Sequence, residues 1–137
     1  MLKIKHFFLT KNILEINTQI INSSISLNTN INIILANNYN SFLQQKLFLQ
    51  SSPEYNMKKL LSCGMPSIYQ ITKVFRGSDI SEIHNPEFTM LEWYRKNYNI
   101  KMIIKESINF LKKILKIKKI IKKTYNNLFK KILFLNI

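Results

Sequence analysis

Arg76, Phe88, Glu92 and Tyr94 are the residues whose types and spacing best suit chemistry. A guanidinium presents a planar fork of donors that can hold a phosphate, and a phenylalanine on a neighbouring strand can cover a purine ring. Glu54, Glu87 and Glu92 supply carboxylates that could hold a cationic substrate, and Tyr94 adds a hydroxyl. On a strand, alternation puts Phe88, Met90, Glu92 and Tyr94 on one face, so a ring, an acid and a phenol stand in line. The same residues also admit a purely structural reading, with Phe88, Trp93 and Tyr94 as core and Arg76 paired with Asp79 or Glu82. No Gly-rich phosphate loop and no catalytic triad is present to separate the two.

The surrounding sequence marks this block as unusual. The chain is rich in Ile, Asn and Lys, and 19 of its 21 basic residues are lysines. Against that background both arginines, both glycines, all three prolines and the single tryptophan lie between residues 53 and 95, with five of the seven acids. Arg forks where Lys cannot, Gly permits close backbone approach, and Pro fixes a turn. Specific geometry is therefore concentrated there, and the flanks lack it.

The elements that must position these groups follow from local patterns. Residues 2–10 suit a short amphipathic helix, and the alternation over 13–16 and 30–35 suits strands. Residues 45–50 read as another strand. Ser52 can then cap a helix with Pro53 at its first position and Glu54 in its first turn, and Gly64 supplies the stop, giving a helix over 52–64. Residues 67–75 and 87–94 alternate as strands around a polar loop at 76–86, an antiparallel hairpin over 67–95. Apolar spacing predicts a helix over 100–121 and a second over 125–135. Sheet and helices segregate, an α+β arrangement in which an antiparallel sheet is flanked by helices.

Bulk properties narrow the function classes. At 137 residues the chain is read as one domain, and no stretch approaches the roughly 20 apolar residues that cross a bilayer. No secretory pattern stands at the N-terminus, so the expected location is cytoplasmic, without membrane association. One cysteine and two histidines exclude a disulfide framework and a Cys/His metal site. Cys63, with no histidine near it in sequence, is read as a packed residue rather than a nucleophile. The net charge of +14 would ordinarily point to nucleic acid, but it follows the lysine-rich composition and is read as a solvated face. Nine lysines and no acid follow Glu106, so an RNA-binding module built on this end is the alternative.

The string Phe75, Arg76, then His84, Asn85, Pro86, Glu87, Phe88, Thr89, Met90, Leu91, Glu92, Trp93, Tyr94, Arg95 resembles motif two of class II lysyl-type synthetases. Upstream, Leu49, Gln50, Ser51, Ser52, Pro53, Glu54, Tyr55 and 57–61 resemble that family's substrate-binding helix entry. Phe7, Phe8, Ile13, Leu14, Glu15, Ile16 and Thr18, within 1–22, resemble motif one. The Trp93, Tyr94, Arg95 ending is similar to that of stand-alone lysyl-tRNA-synthetase-like ligases lacking an anticodon-binding domain.

That resemblance implies a partial class II catalytic core that adenylates (R)-β-lysine or lysine with ATP and passes the acyl group to a lysine of elongation factor P. By the same resemblance Arg76 contacts the α-phosphate, Phe88 stacks on adenine, and Gly77, Ser78 and Asn85 touch the nucleotide. Ser52, Pro53 and Glu54 bind the amino-acid substrate, and Glu92 and Tyr94 face its ammonium groups. Gln19 stands where motif one carries the proline that shapes the dimer interface, which leaves a homodimer open. Ser78 stands where many relatives have an acid, with Asp79 beside it. The family's metal-binding acid and its motif-three arginine have no counterpart after Arg95, so a truncated member is expected, with no Mg²⁺ ligands of its own. A nucleotide-binding remnant without catalysis is the corresponding alternative.

Overall fold

The computed structural model describes residues 1–24, 31–36, 46–77 and 81–133. Met1–Tyr98 and Asn99–Ile137 form two compact units. The first opens with helix α1 (Leu2–Leu9), followed by short strands β1 (Leu14–Glu15), β2 (Ile21–Asn22), β3 (Leu35–Ala36) and β4 (Leu47–Leu49). Helix α2 (Glu54–Ser62) then leads into the long strands β5 (Ile68–Phe75) and β6 (Glu87–Tyr94). Among the described residues these strands form two three-stranded sheets, ordered β1-β5-β6 and β2-β4-β3.

The hairpin forms where alternation predicts it, in an antiparallel register from Ile68 opposite Tyr94 to Phe75 opposite Glu87. Its edge differs from the expected antiparallel sheet, because β1 runs parallel to β5, with Leu14 beside Ile68 and Glu15 beside Tyr69. A parallel neighbour needs a long crossover, and that pairing is invisible to local periodicity. Of the strand expected over 30–35, only Leu35 enters β3, residues 32–34 are coil, and residue 30 lies outside the described residues. The chain is thus a mixed α/β fold of small sheets and helices.

Period-two alternation divides the β1-β5-β6 sheet into two packed faces. On one, Phe8 is wholly buried and stacks on Tyr69 at 4.3 Å and 15°, with Trp93 tilted 5.7 Å away and Phe7 edge-on at 5.4 Å. Burying such a ring contributes roughly 2–3 kcal/mol. Trp93, half-buried, packs against this face, in the direction of the structural reading. On the other face Ile16, Met57 and Ile68 form a buried cluster with Leu60, Leu61, Met65 and Tyr94 against it. Arg95, at the end of β6, reaches back to the Lys11 carbonyl at 3.3 Å and to the Tyr98 hydroxyl at 2.6 Å.

Helix α2 stops as the glycine predicts. Gly64 adopts φ +95°, its N–H donates to the Leu61 carbonyl at 3.0 Å, and the Met65 N–H donates to Leu60 at 3.2 Å. That is a Schellman stop, and it brings Met65 onto the cluster beside Leu60. Cys63, expected to be packed, is exposed: it is the last residue before the left-handed turn, where the chain leaves the helix on its solvent side.

In the second unit α3 (Ile100–Leu115) is capped by Asn99, whose Oδ1 accepts from the Met102 N–H at 3.0 Å. It ends at Leu115, six residues before the expected Ile121, with its C-cap Lys116 in the left-handed conformation at φ 54°. Lys112, Lys113, Lys116, Lys118 and Lys119 crowd like charges there without an intervening acid, which disfavours continuing the helix. Helix α4 (Tyr125–Leu133) begins after Thr124, whose Oγ1 accepts from Asn127 at 3.3 Å. Residues 134 and 135 of the predicted helix lie outside the described residues. No helix among the described residues is long and apolar enough to cross a membrane.

Candidate functional site

Three consecutive residues between β4 and α2 organise the site. Gln50 is buried, and its backbone bonds both sheets, its N–H donating to Ile20 at 2.9 Å and its carbonyl accepting from Phe75 at 2.9 Å. Its side-chain Nε2 donates to the Lys73 carbonyl at 2.8 Å and to Thr72 Oγ1 at 3.2 Å. The Ser51 carbonyl accepts from Arg76 Nε at 3.4 Å, and Ser52 Oγ donates to Glu92 Oε2 at 2.8 Å. The junction therefore touches the arginine with one residue and the glutamate with the next. Gln50 and Ser51 belong to the sequence resemblance, yet no role is legible for them locally, because every partner is distant in sequence.

Glu92 receives a second donor on its other oxygen, the Tyr94 hydroxyl at 2.5 Å. Residues two apart on a strand share a face, which is what lets this pair form. Burial, then the bond to Glu92, then the charges of Glu92 and Glu54 push the Tyr94 phenol well above its ordinary range. It is a fixed neutral donor at physiological pH. Opposite Glu92 lies Gln70, wholly buried, whose Oε1 accepts from Thr18 Oγ1 at 3.0 Å.

Ser52 Oγ also accepts the Glu54 N–H at 3.1 Å. The helix itself begins at Glu54, with Pro53 in the cap position, one residue later than the predicted start; Ser52 still accepts a first-turn N–H as a cap does. Pro53 is fully buried, and its ring fixes the chain between Ser52 and Glu54. Glu54 is about half exposed and pairs through Oε1 with Lys58 Nζ at 2.5 Å, one helical turn on. That bond, the Glu54 charge and the charge of Glu92 raise the Lys58 ammonium above its usual range.

Arg76 and Phe88 form the second part of the site. The Arg76 N–H donates to the Pro86 carbonyl at 2.8 Å, closing the base of the hairpin loop, and the guanidinium carbon lies 5.2 Å from the Phe88 ring centre. Gly77 donates to the Asn32 carbonyl at 2.8 Å. A Cβ there would meet Asn32 O and Ile34 Cγ1 at 3.5 Å, ordinary contact, so no close approach demands this glycine. Asn85 is exposed in the loop, while Ser78, and with it Asp79, lies outside the described residues. The structure thus brings Ser52, Glu92 and Tyr94 together, sets Arg76 beside Phe88, and joins the pairs through Gln50–Ser52. A small solvent-open pocket adjoins that junction, lined in part by Gln50, Ser51, Ser52 and Tyr55 but by neither Arg76 nor Phe88. No group of three or more His, Cys, Asp or Glu side chains converges among the described residues.

The family model of class II tRNA synthetases (D, K and N) matches residues 1–136, and the chain belongs to that family. Within it, the chain is 43% identical over 133 residues to the elongation factor P (R)-β-lysine ligase of Buchnera aphidicola subsp. Schizaphis graminum, covering 95% of this chain and 41% of that protein. To the ligase of the same name from Buchnera aphidicola subsp. Acyrthosiphon pisum it is 45% identical over 128 residues, covering 92% of this chain and 40% of that protein. The Haemophilus influenzae ligase is 38% identical over 115 residues, covering 82% and 36%. The chain spans about 40% of the length of these curated relatives.

Proposed function

We propose that this chain carries the amine-binding and α-phosphate-binding part of an ATP-dependent ligase that adenylates (R)-β-lysine or lysine and delivers it to a lysine of elongation factor P. The observation that carries the reading is the carboxylate of Glu92, held on both oxygens by Ser52 and Tyr94 on the hairpin that also bears Arg76 and Phe88. The relatives bear the name of that ligase and match over nearly the whole of this chain.

In this reading Glu92, with its orientation fixed by two hydroxyls, faces a substrate ammonium, and Glu54 offers a second carboxylate at the start of α2. Arg76 forks onto the α-phosphate, and Phe88 covers the adenine. A carboxylate oxygen of the amino acid then forms a bond to the α-phosphorus as the bond to the bridging oxygen of pyrophosphate breaks. Arg76 stabilises the charge that grows on the equatorial oxygens. The acceptor lysine nitrogen next bonds the acyl carbon, AMP leaves, and the nitrogen's proton passes to solvent. Mg²⁺ is expected from the family, where it offsets phosphate charge. The described residues offer it no ligand cluster.

Pyrophosphate exchange with (R)-β-lysine and with lysine tests this reading, and label entering ATP only in the presence of the amine is the expected result. No exchange at high protein concentration rules out autonomous activity. A second reading, nucleotide and amine binding without turnover, is favoured by the 40% share of the relatives' length. Calorimetry showing ATP and amine binding with no exchange would establish it.

A further inference from the structure

Helix α2 carries a cation inside the region where the proposed substrate amine must bind. Lys58 Nζ sits 2.5 Å from Glu54 Oε1, and spacing of four residues on a helix makes this pairing automatic once α2 forms. The ammonium also lies in the field of Glu92, whose two oxygens are already engaged by Ser52 and Tyr94. Ser52 Oγ donates to Glu92 Oε2 at 2.8 Å and accepts the Glu54 N–H at 3.1 Å, so one hydroxyl ties the first residue of α2 to Glu92, and carboxylates carried that near each other favour a cation beside them. We infer that Lys58 is a resident counter-ion of the amine site, its ammonium holding Glu54 in the absence of substrate and giving way when a substrate ammonium arrives. This rests on the amine-site reading above and adds a competitor to it.

Lys58 acts through Glu54 and is a positioning residue. Both side chains are more than half exposed, at 58% and 51%, so the pair is readily exchanged for another ammonium. The exchange is one ion pair for another and sets a small but directional effect. Removing Lys58 frees Glu54 and tightens amine binding, whereas a lysine that merely organises Glu54 for the substrate gives the opposite sign. Lys59, exposed one residue along the same helix, has the same formal charge without the bond to Glu54 and serves as the control for bulk electrostatics.

The experiment is calorimetric titration of the whole chain with L-lysine and with (R)-β-lysine, at low and at high salt, for the wild type, Lys58→Gln, Lys58→Arg and Lys59→Gln. The expected result is affinity raised about 1.4- to 2.3-fold in Lys58→Gln at low salt, the size of one exposed i,i+4 pair, with the gain shrinking at high salt. Lys58→Arg and Lys59→Gln stay near the wild type. If Lys58→Gln binds lysine equally or more weakly, or if Lys59→Gln gains as much, the counter-ion role is overturned while the amine site stands. Absence of lysine binding in the wild type and in every variant overturns the amine site, and the counter-ion with it.

Discussion

Replacing Glu92 by glutamine keeps the side chain's shape and removes the charge on which two hydroxyls converge. Ser52 Oγ lies 2.8 Å from one oxygen and Tyr94 Oη 2.5 Å from the other. An amide has a single oxygen, so one of the two donors meets an NH₂ group and loses its acceptor. Hydrogen bonds to a charged group are worth roughly 1.5–3 kcal/mol and neutral ones about half. The fold should therefore lose about 1–2 kcal/mol, a fall in melting temperature on the order of 5–15 °C for a unit of this size. A substrate ammonium loses its ionic partner as well, and roughly 1.5–3 kcal/mol converts to about 10- to 150-fold weaker amine binding. Calorimetry with L-lysine below the variant's melting temperature, paired with an ATP titration, separates the two effects. ATP affinity should stay within a few-fold. A folded Glu92→Gln protein that binds lysine within twofold of the wild type would refute Glu92 as the amine's carboxylate and leave it a structural acceptor.

Four further outcomes follow from the same geometry. Arg76→Lys keeps the charge but loses the fork and the contact with Phe88, and titration with ATP should show affinity lowered about tenfold; unchanged affinity would remove Arg76 from the phosphate site. Gly64→Ala places a Cβ at φ +95° and should cost about 1–2 kcal/mol by urea unfolding, while Gly77→Ala, facing contacts of 3.5 Å, should cost less than about 0.5. Phe8→Ala empties a wholly buried ring site between Tyr69, Trp93 and Phe7 and should cost about 3–5 kcal/mol, enough to leave the first unit largely unfolded near its wild-type midpoint. Burial, then the bond to Glu15, pushes the Tyr69 phenol up from 10.0 to about 12, so its contribution is intact below pH 10 and is lost as pH climbs toward 12. Alkaline melts of Tyr69→Phe should lack that decline; an identical decline would assign it elsewhere.

What was legible in the sequence is local. The hairpin strands, the helix stop at Gly64, the shared face of Glu92 and Tyr94, and the loop between Arg76 and Pro86 all follow from period-two alternation and from residues with unusual backbone demands. The family resemblance rested on the same block, since residue order along one hairpin is preserved in the chain itself. The fold over 1–16 was half legible: the helix and strand are there, but the parallel pairing of β1 with β5 depends on a partner 54 residues away. Helix α3 was overrun because apolar spacing continues past Leu115, whereas the backbone turns left-handed among crowded lysines.

The sequence by itself determined which side chains could do chemistry and which of them share a strand. Only the tertiary structure decided what orients them. Gln50 joins two sheets through bonds to Ile20, Phe75, Thr72 and Lys73, and that places Ser51 against Arg76 and Ser52 against Glu92. Tertiary packing likewise buried Pro53 and, through the Ser52 hydroxyl, tied the first residue of α2 to Glu92. The division has one physical reason: alternation and turn chemistry act over a few residues, whereas hydrogen bonds and charges act through space between segments that the chain order keeps apart.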